Sequence, residues 1–149
     1  MSVTITQATL NDVAEIAVIF NQYRIFYQQS SNVELAEYFI GERLRNNESV
    51  IFLAKEGEQL LGFVQLYPSF SSVSARRTWI LNDLYVNEVS RGLGIGKLLL
   101  GEVKNFSNES GVKGVGLQTA IDNTTAQGLY ESLGYKKDTN FYSYFLDLE

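Results

Sequence analysis

Apolar and polar positions along this chain switch several times between a period of two and a period near 3.6. Residues 3–7 alternate as a strand. Thr9-Leu10-Asn11-Asp12 has the form of a capping box, with Asp in place of the usual Glu or Gln. Val13, Ile16, Ala17, Phe20 and Arg24 follow at helical spacing, and Tyr23, Phe26 and Tyr27 extend it. Ser30-Ser31-Asn32 breaks that helix and caps a second over residues 33–46, with Leu35, Phe39, Ile40 and Leu44 on its apolar stripe.

Residues 49–55 and 59–67 read as the two strands of a hairpin turning at Glu56-Gly57-Glu58. Pro68, the single proline, is expected to end the second. A polar loop over 69–76 leads to a third long strand at 77–86. A glycine-rich loop and a helix to about residue 108 follow, closed by Glu109-Ser110-Gly111. Strand 112–120, helix 124–133 with Gly134 as its stop, and strands at 135–137 and 141–148 complete the chain. The order β-αα-βββ-α-β-α-ββ predicts a mixed α/β (α+β) sandwich built as one layered domain over residues 1–149.

Composition narrows the chemistry mainly by what is missing. With no histidine, a Ser-His-Asp triad, a Cys-His pair, a histidine base and histidine-ligated metals are excluded. With no cysteine, disulfides, a thiol nucleophile and thiolate metal sites go as well. No spaced acidic cluster suggests a carboxylate metal site, so no metal is expected. The remaining chemistry belongs to Tyr, Asp, Glu, Lys, Arg, Ser, Thr, backbone groups or water. The net charge of −5 disfavours nucleic acid as a partner and mildly favours a cationic substrate. No apolar run is long enough to cross a membrane and no signal pattern opens the chain, which makes a cytoplasmic location the expectation.

The most distinctive local motif is Arg91-Gly92-Leu93-Gly94-Ile95-Gly96-Lys97, between a strand and a helix. Glycines on alternate positions permit a tight turn and close approach to bare amides. A helix start adds unpaired N–H groups and partial positive charge, so the segment reads as a phosphate or pyrophosphate seat. The spacing departs from the dinucleotide fingerprint, since the third glycine comes one residue early. It departs from the P-loop too, with Arg91 where the first glycine belongs and Leu98 where Ser or Thr belongs.

A second motif lies downstream: Asn123-Thr124-Thr125-Ala126-Gln127-Gly128-Leu129-Tyr130-Glu131-Ser132-Leu133-Gly134-Tyr135. The two motifs, in this order and separation, closely resemble the GNAT superfamily of N-acetyltransferases, and the element order matches over essentially the full length. The resemblance implies a mixed, mostly antiparallel sheet of about seven strands flanked by four helices. It also implies acetyl-CoA as co-substrate. By position, Arg91, Gly92, Leu93, Gly94, Ile95, Gly96 and Lys97 would hold the pyrophosphate. Leu84 and Val86 would pair their backbone with the pantetheine arm. Asn123 would contact that arm, Ala126 would pack near it, and Tyr130 would lie near the sulfur.

Acetyl transfer needs a neutral amine, a stabilised oxyanion and a leaving thiolate. A backbone N–H at or beside Val86 can meet the oxyanion. Tyr130 is the candidate acid, although phenol titrates near ~10 and a thiol near ~8.5, which makes full proton transfer to thiolate uphill by roughly 2 kcal/mol. Its expected role is therefore a hydrogen bond to the developing thiolate. Several family members carry a glutamate in the strand before the loop, where this chain has Asn82, which takes no proton. Asp83 is adjacent, but strand alternation points it to the opposite face unless a bulge re-aims it. Two readings of the base remain open: Asp83 acting through water, or solvent alone.

In this family the first two helices largely form the acceptor pocket. Tyr23, Phe26 and Tyr27 suit a cage for a small cation, and Arg24 suits a carboxylate. That combination points to a small-molecule amine such as an amino acid or polyamine. A protein or peptide N-acetyltransferase and a catalytically silent acyl-CoA-binding module are the alternatives. Phe141-Tyr142-Ser143-Tyr144-Phe145-Leu146 is either a core strand or the surface of a possible homodimer.

Overall fold

The alternating segment at the start forms β1 (Thr4–Gln7) in the computed structural model, which describes residues 2–149. The capping box at Thr9 and Asp12 is present and leads through a short 3-10 turn into α1 (Val13–Phe26). Asn32 caps α2 (Val33–Arg45) by accepting from the Leu35 amide at 3.0 Å. Strands β2 (Val50–Glu56), β3 (Gln59–Ser71) and β4 (Arg76–Val86) then form a meander. Helix α3 (Ile95–Ser110), β5 (Val115–Gly116) and α4 (Thr124–Ser132) follow.

The sheet runs β1-β2-β3-β4-β5, antiparallel except where β4 meets β5. Strand parity divides its residues between two faces. Ile51, Leu53 and Phe63 join Ile16, Phe20 and Ile40 in one buried cluster, so α1 and α2 cover that face. On the other, α3 buries Ile95, Leu99, Leu100 and Val103. Phe106 of α3 meets the rings of Phe52 and Trp79 at 5.2 and 5.6 Å.

Three expectations need correction. Pro68 does not end its strand: β3 continues to Ser71, and Pro68 pairs with Trp79. The reason is positional. Strand β2 stops opposite Leu66, so from Tyr67 onward β3 has a single neighbour, and a residue without an N–H is tolerated on such an edge. The predicted strand 112–120 shrinks to two residues, flanked by Gly114 and lacking partners from Leu117 on. The sheet has five strands rather than about seven, because residues 135–137 and 141–148 enter no ladder among the described residues.

The chain divides into two compact units, one ending at Leu117 and the other Gln118–Glu149. The first holds the sheet and α1–α3. The second holds α4, stopped as expected by Gly134 in a left-handed conformation (φ 96°).

Candidate functional site

A bulge in β4 decides where the carboxylate goes. Gln65 pairs with Asp83 and Leu66 with Leu81, so Asn82 is an extra residue on β4. Leu81 shares strand parity with Trp79, on the α3 side. Without the extra residue's bulge, alternation would send Asp83 to that same side, as the sequence alone predicts. With it, Asp83 and Tyr85 are both delivered to the face of α1 and α2. Asp83 is 5% exposed there.

The Asp83 carboxylate is held by three neutral donors. Gln65 Nε2 donates to Oδ2 at 2.7 Å and Asn82 Nδ2 to Oδ1 at 3.1 Å. The Tyr23 hydroxyl, from α1, supplies the third hydrogen bond. Burial first, then the charge of Asp83 and that hydrogen bond, pushes the Tyr23 phenol well above its ordinary range. Tyr67 is pushed up to about 12, again by burial first and then by Asp83. The result is an anionic point inside an aromatic wall.

The wall includes most of the residues expected of the acceptor pocket. Tyr23 meets Tyr27, Phe63 and Tyr85 at 5.1, 5.8 and 5.8 Å between ring centroids. Phe26 meets Tyr27 and Tyr85 at 5.2 and 6.3 Å, and both Phe26 and Tyr27 are 56% exposed. Arg24 is half-buried on α1 and makes no ion pair among the described residues.

The loop after β4 has the backbone that its glycines require. Gly92 and Gly94 take left-handed φ values of 80° and 81°, and a Cβ at either would meet nothing within 4 Å. Gly96 lies in the first turn of α3 with an ordinary φ. No side chain caps this helix, whose first internal bond runs from Leu98 N to Gly94 O at 3.1 Å. The amides of Ile95, Gly96 and Lys97 therefore precede the helical ladder, which suits an anionic group of pyrophosphate size.

Leu93 and Lys97 are exposed. Arg91 instead folds back: its Nε donates to Val86 O at 2.9 Å, and its guanidinium lies over Phe26 and Tyr85 at 5.4 and 5.3 Å. Leu84 and Val86 occupy the end of β4 past its two-residue ladder with β5.

In the second unit, Asn123 caps α4 by accepting from Ala126 N at 3.1 Å. Gln127 Nε2 donates to the carbonyls of Ala120 and Ile121, both at 2.9 Å, which fixes the turn into the helix. Tyr130 packs edge-on against Tyr135 at 5.6 Å, and burial raises the Tyr135 phenol.

Sequence reasoning missed Gln65, Tyr67 and Tyr85. The signal for Gln65 was present: it is the one polar residue inside Leu60-Leu61-Gly62-Phe63-Val64-Gln65-Leu66. Tyr85 follows from the same parity as Asp83 once the bulge is known. Among the described residues no cluster of His, Cys, Asp or Glu is placed to hold a metal, and no helix is long and apolar enough to cross a membrane.

Residues 15–135 match the sequence model of the Acetyltransferase (GNAT) family. The chain is 48% identical, over 97% of both sequences, to YhfO of Bacillus subtilis strain 168, described as an uncharacterized N-acetyltransferase. The crystal structure of a probable acetyltransferase, 43% identical, superposes with a TM-score of 0.92 over 98% of each chain. At 16% identity the fold alone is shared with a predicted acetyltransferase from Clostridium acetobutylicum solved with acetyl-CoA, with a TM-score of 0.77 over 97% of this chain and 96% of that one.

Proposed function

The chain belongs to the GNAT acetyltransferase family, and on that premise we propose that it acetylates the primary amine of a small cationic molecule by direct transfer from acetyl-CoA. The family membership makes it an acyltransferase that uses acetyl-CoA. The observation that supports a small cationic acceptor is the buried Asp83 carboxylate walled by Tyr23, Tyr67 and Tyr85. A carboxylate attracts an ammonium, and ring faces add a cation–π contribution of about 0.5–2 kcal/mol. Arg24 is available for a carboxylate on an amino-acid-like acceptor.

In this reading the amides from Gly92 to Lys97 hold the pyrophosphate, and the β4 backbone at Leu84 and Val86 aligns the pantetheine arm. Asp83 takes a proton from the bound ammonium, directly or through one water. The neutral nitrogen then attacks the thioester carbonyl, whose oxygen is met by a backbone N–H at the end of β4. The C–S bond breaks, and the sulfur leaves with the electron pair as a thiolate that accepts a hydrogen bond from Tyr130. Asn123 and Ala126 line the cofactor arm.

Release of free CoA, measured over a panel of diamines, amino acids, their amides and lysine peptides, tests the acceptor class. Turnover confined to small amines supports the proposal. Turnover on peptides alone, or CoA binding with no turnover on any amine, overturns it. Asp83→Asn tests the base. It should lower kcat about 10²-fold and remove the acid-side limb of the pH–rate profile. A limb that persists in the variant belongs to the amine itself and assigns deprotonation to solvent.

A further inference from the structure

Gln65 sits within the otherwise apolar 60–66 stretch of β3, with no exposed surface, and neither its position nor the family's motif assigns it a task. Its Nε2 donates to Asp83 Oδ2 at 2.7 Å. Its Oε1 is buried and has no hydrogen-bond partner. That combination is informative. A fully buried carbonyl without a donor is costly, and turning the amide over would exchange the two atoms. The turned amide would aim its oxygen at a carboxylate oxygen, which repels it while Asp83 is ionised. The orphaned Oε1 is therefore the consequence of keeping an N–H on an ionised carboxylate.

We propose that Gln65 is a positioning residue for Asp83, holding its carboxylate ionised and fixed in orientation so that it is ready to receive a proton from the acceptor amine. The geometry separates the labour at this point. Gln65 from β3 and Asn82 from the bulge each hold one oxygen. Tyr23 from α1 adds a hydroxyl donor, and Tyr67 of β3 faces the same charge. Tyr27 acts on Tyr23, and Arg43 of α2 acts on Tyr67. None of the direct donors carries a positive charge, so the carboxylate is held in this buried place by neutral hydrogen bonds. Gln65 supplies one of them, at 2.7 Å, from a backbone locked between β2 and β4.

This inference deepens the proposed role of Asp83 and rests on it for its catalytic meaning, but its test does not. The Asp83 carboxyl carbon is followed by ¹³C NMR against pH, its signal assigned by its loss in Asp83→Asn. In Gln65→Met, which keeps the volume and removes the amide, the carboxyl should titrate about one pH unit higher or more. Gln65→Asn, which withdraws the amide by one methylene and stays polar, should move it the same way, and keeps the test open if the Met variant fails to fold. The acid-side limb of kcat/KM should move with the carboxyl in both, with the KM for acetyl-CoA unchanged. An unmoved Asp83 titration in a folded variant overturns the proposal. A moved titration with an unmoved kinetic limb supports Gln65 and removes Asp83 as the base.

Discussion

At the scale of single residues, the candidate chemistry rests on one asparagine that does no chemistry. Asn82 stands where the family resemblance leads one to expect a glutamate, and an amide side chain cannot accept the proton. Its place in the chain does something else: as the extra residue of a bulge it brings Asp83 to the helix-covered face and donates to it at 3.1 Å. Bulges of this kind re-aim side chains, and a period-two reading of a strand cannot see them. Tyr130 is the other residue on which the reading depends. A hydrogen bond to a charged sulfur contributes about 1.5–3 kcal/mol, so Tyr130→Phe should lower kcat about tenfold or more with little change in the KM for acetyl-CoA. Steady-state kinetics decide this, and an unchanged kcat ends the assignment.

At the scale of elements, the end of β4 depends on what lies beside it. Gly62 on β3 pairs with Val86, and a Cβ built there would lie 2.8 Å from the Tyr85 carbonyl oxygen. Backbone cannot swing aside as a side-chain tip does. Gly62→Ala should therefore cost about 1–3 kcal/mol in urea unfolding and raise the KM for acetyl-CoA, because the strand end proposed to align the pantetheine arm must shift. A stable variant with an unaltered KM would mean that β4 does not align the arm. Elements with local signatures were legible in the sequence: the Thr9 capping box, the Asn32 cap, the left-handed glycines at 92 and 94, and Gly134 as a helix stop. What was not legible depended on neighbours. Pro68 has the local signature of a terminator, and the sequence does not say that β2 stops opposite Leu66. The stretch at 141–148 has strand composition, yet composition describes fitness for a pleated surface and provides no partner ladder. The sequence marks Gln65 as an oddity but not its task, and it hides Tyr85, because the meaning of both depends on the β4 bulge opposite Gln65.

At the scale of the whole molecule, the absence of histidine leaves the response to pH to carboxyls, lysines and tyrosines. Two tyrosines in the sheet-bearing unit are held neutral in the folded state, chiefly by burial and secondly by the charge of Asp83. In the unfolded chain both ionise near ~10. Above that pH the unfolded state releases protons that the folded state keeps, and the equilibrium is drawn toward unfolding. The stabilising contribution is thus fully present below pH ~10 and is lost as pH rises toward about 12, where folded Tyr67 ionises. Tyr67→Phe removes one of the two groups and should flatten the decline of the urea midpoint between about pH 9 and about pH 11.5, a range that brackets the unfolded phenol. Asp83→Asn should flatten it as well, since the same carboxylate raises both phenols. If both variants lose stability as steeply as the parent, the coupling between Asp83 and its aromatic wall is absent, and with it the physical basis for an ammonium seat at this point of the fold.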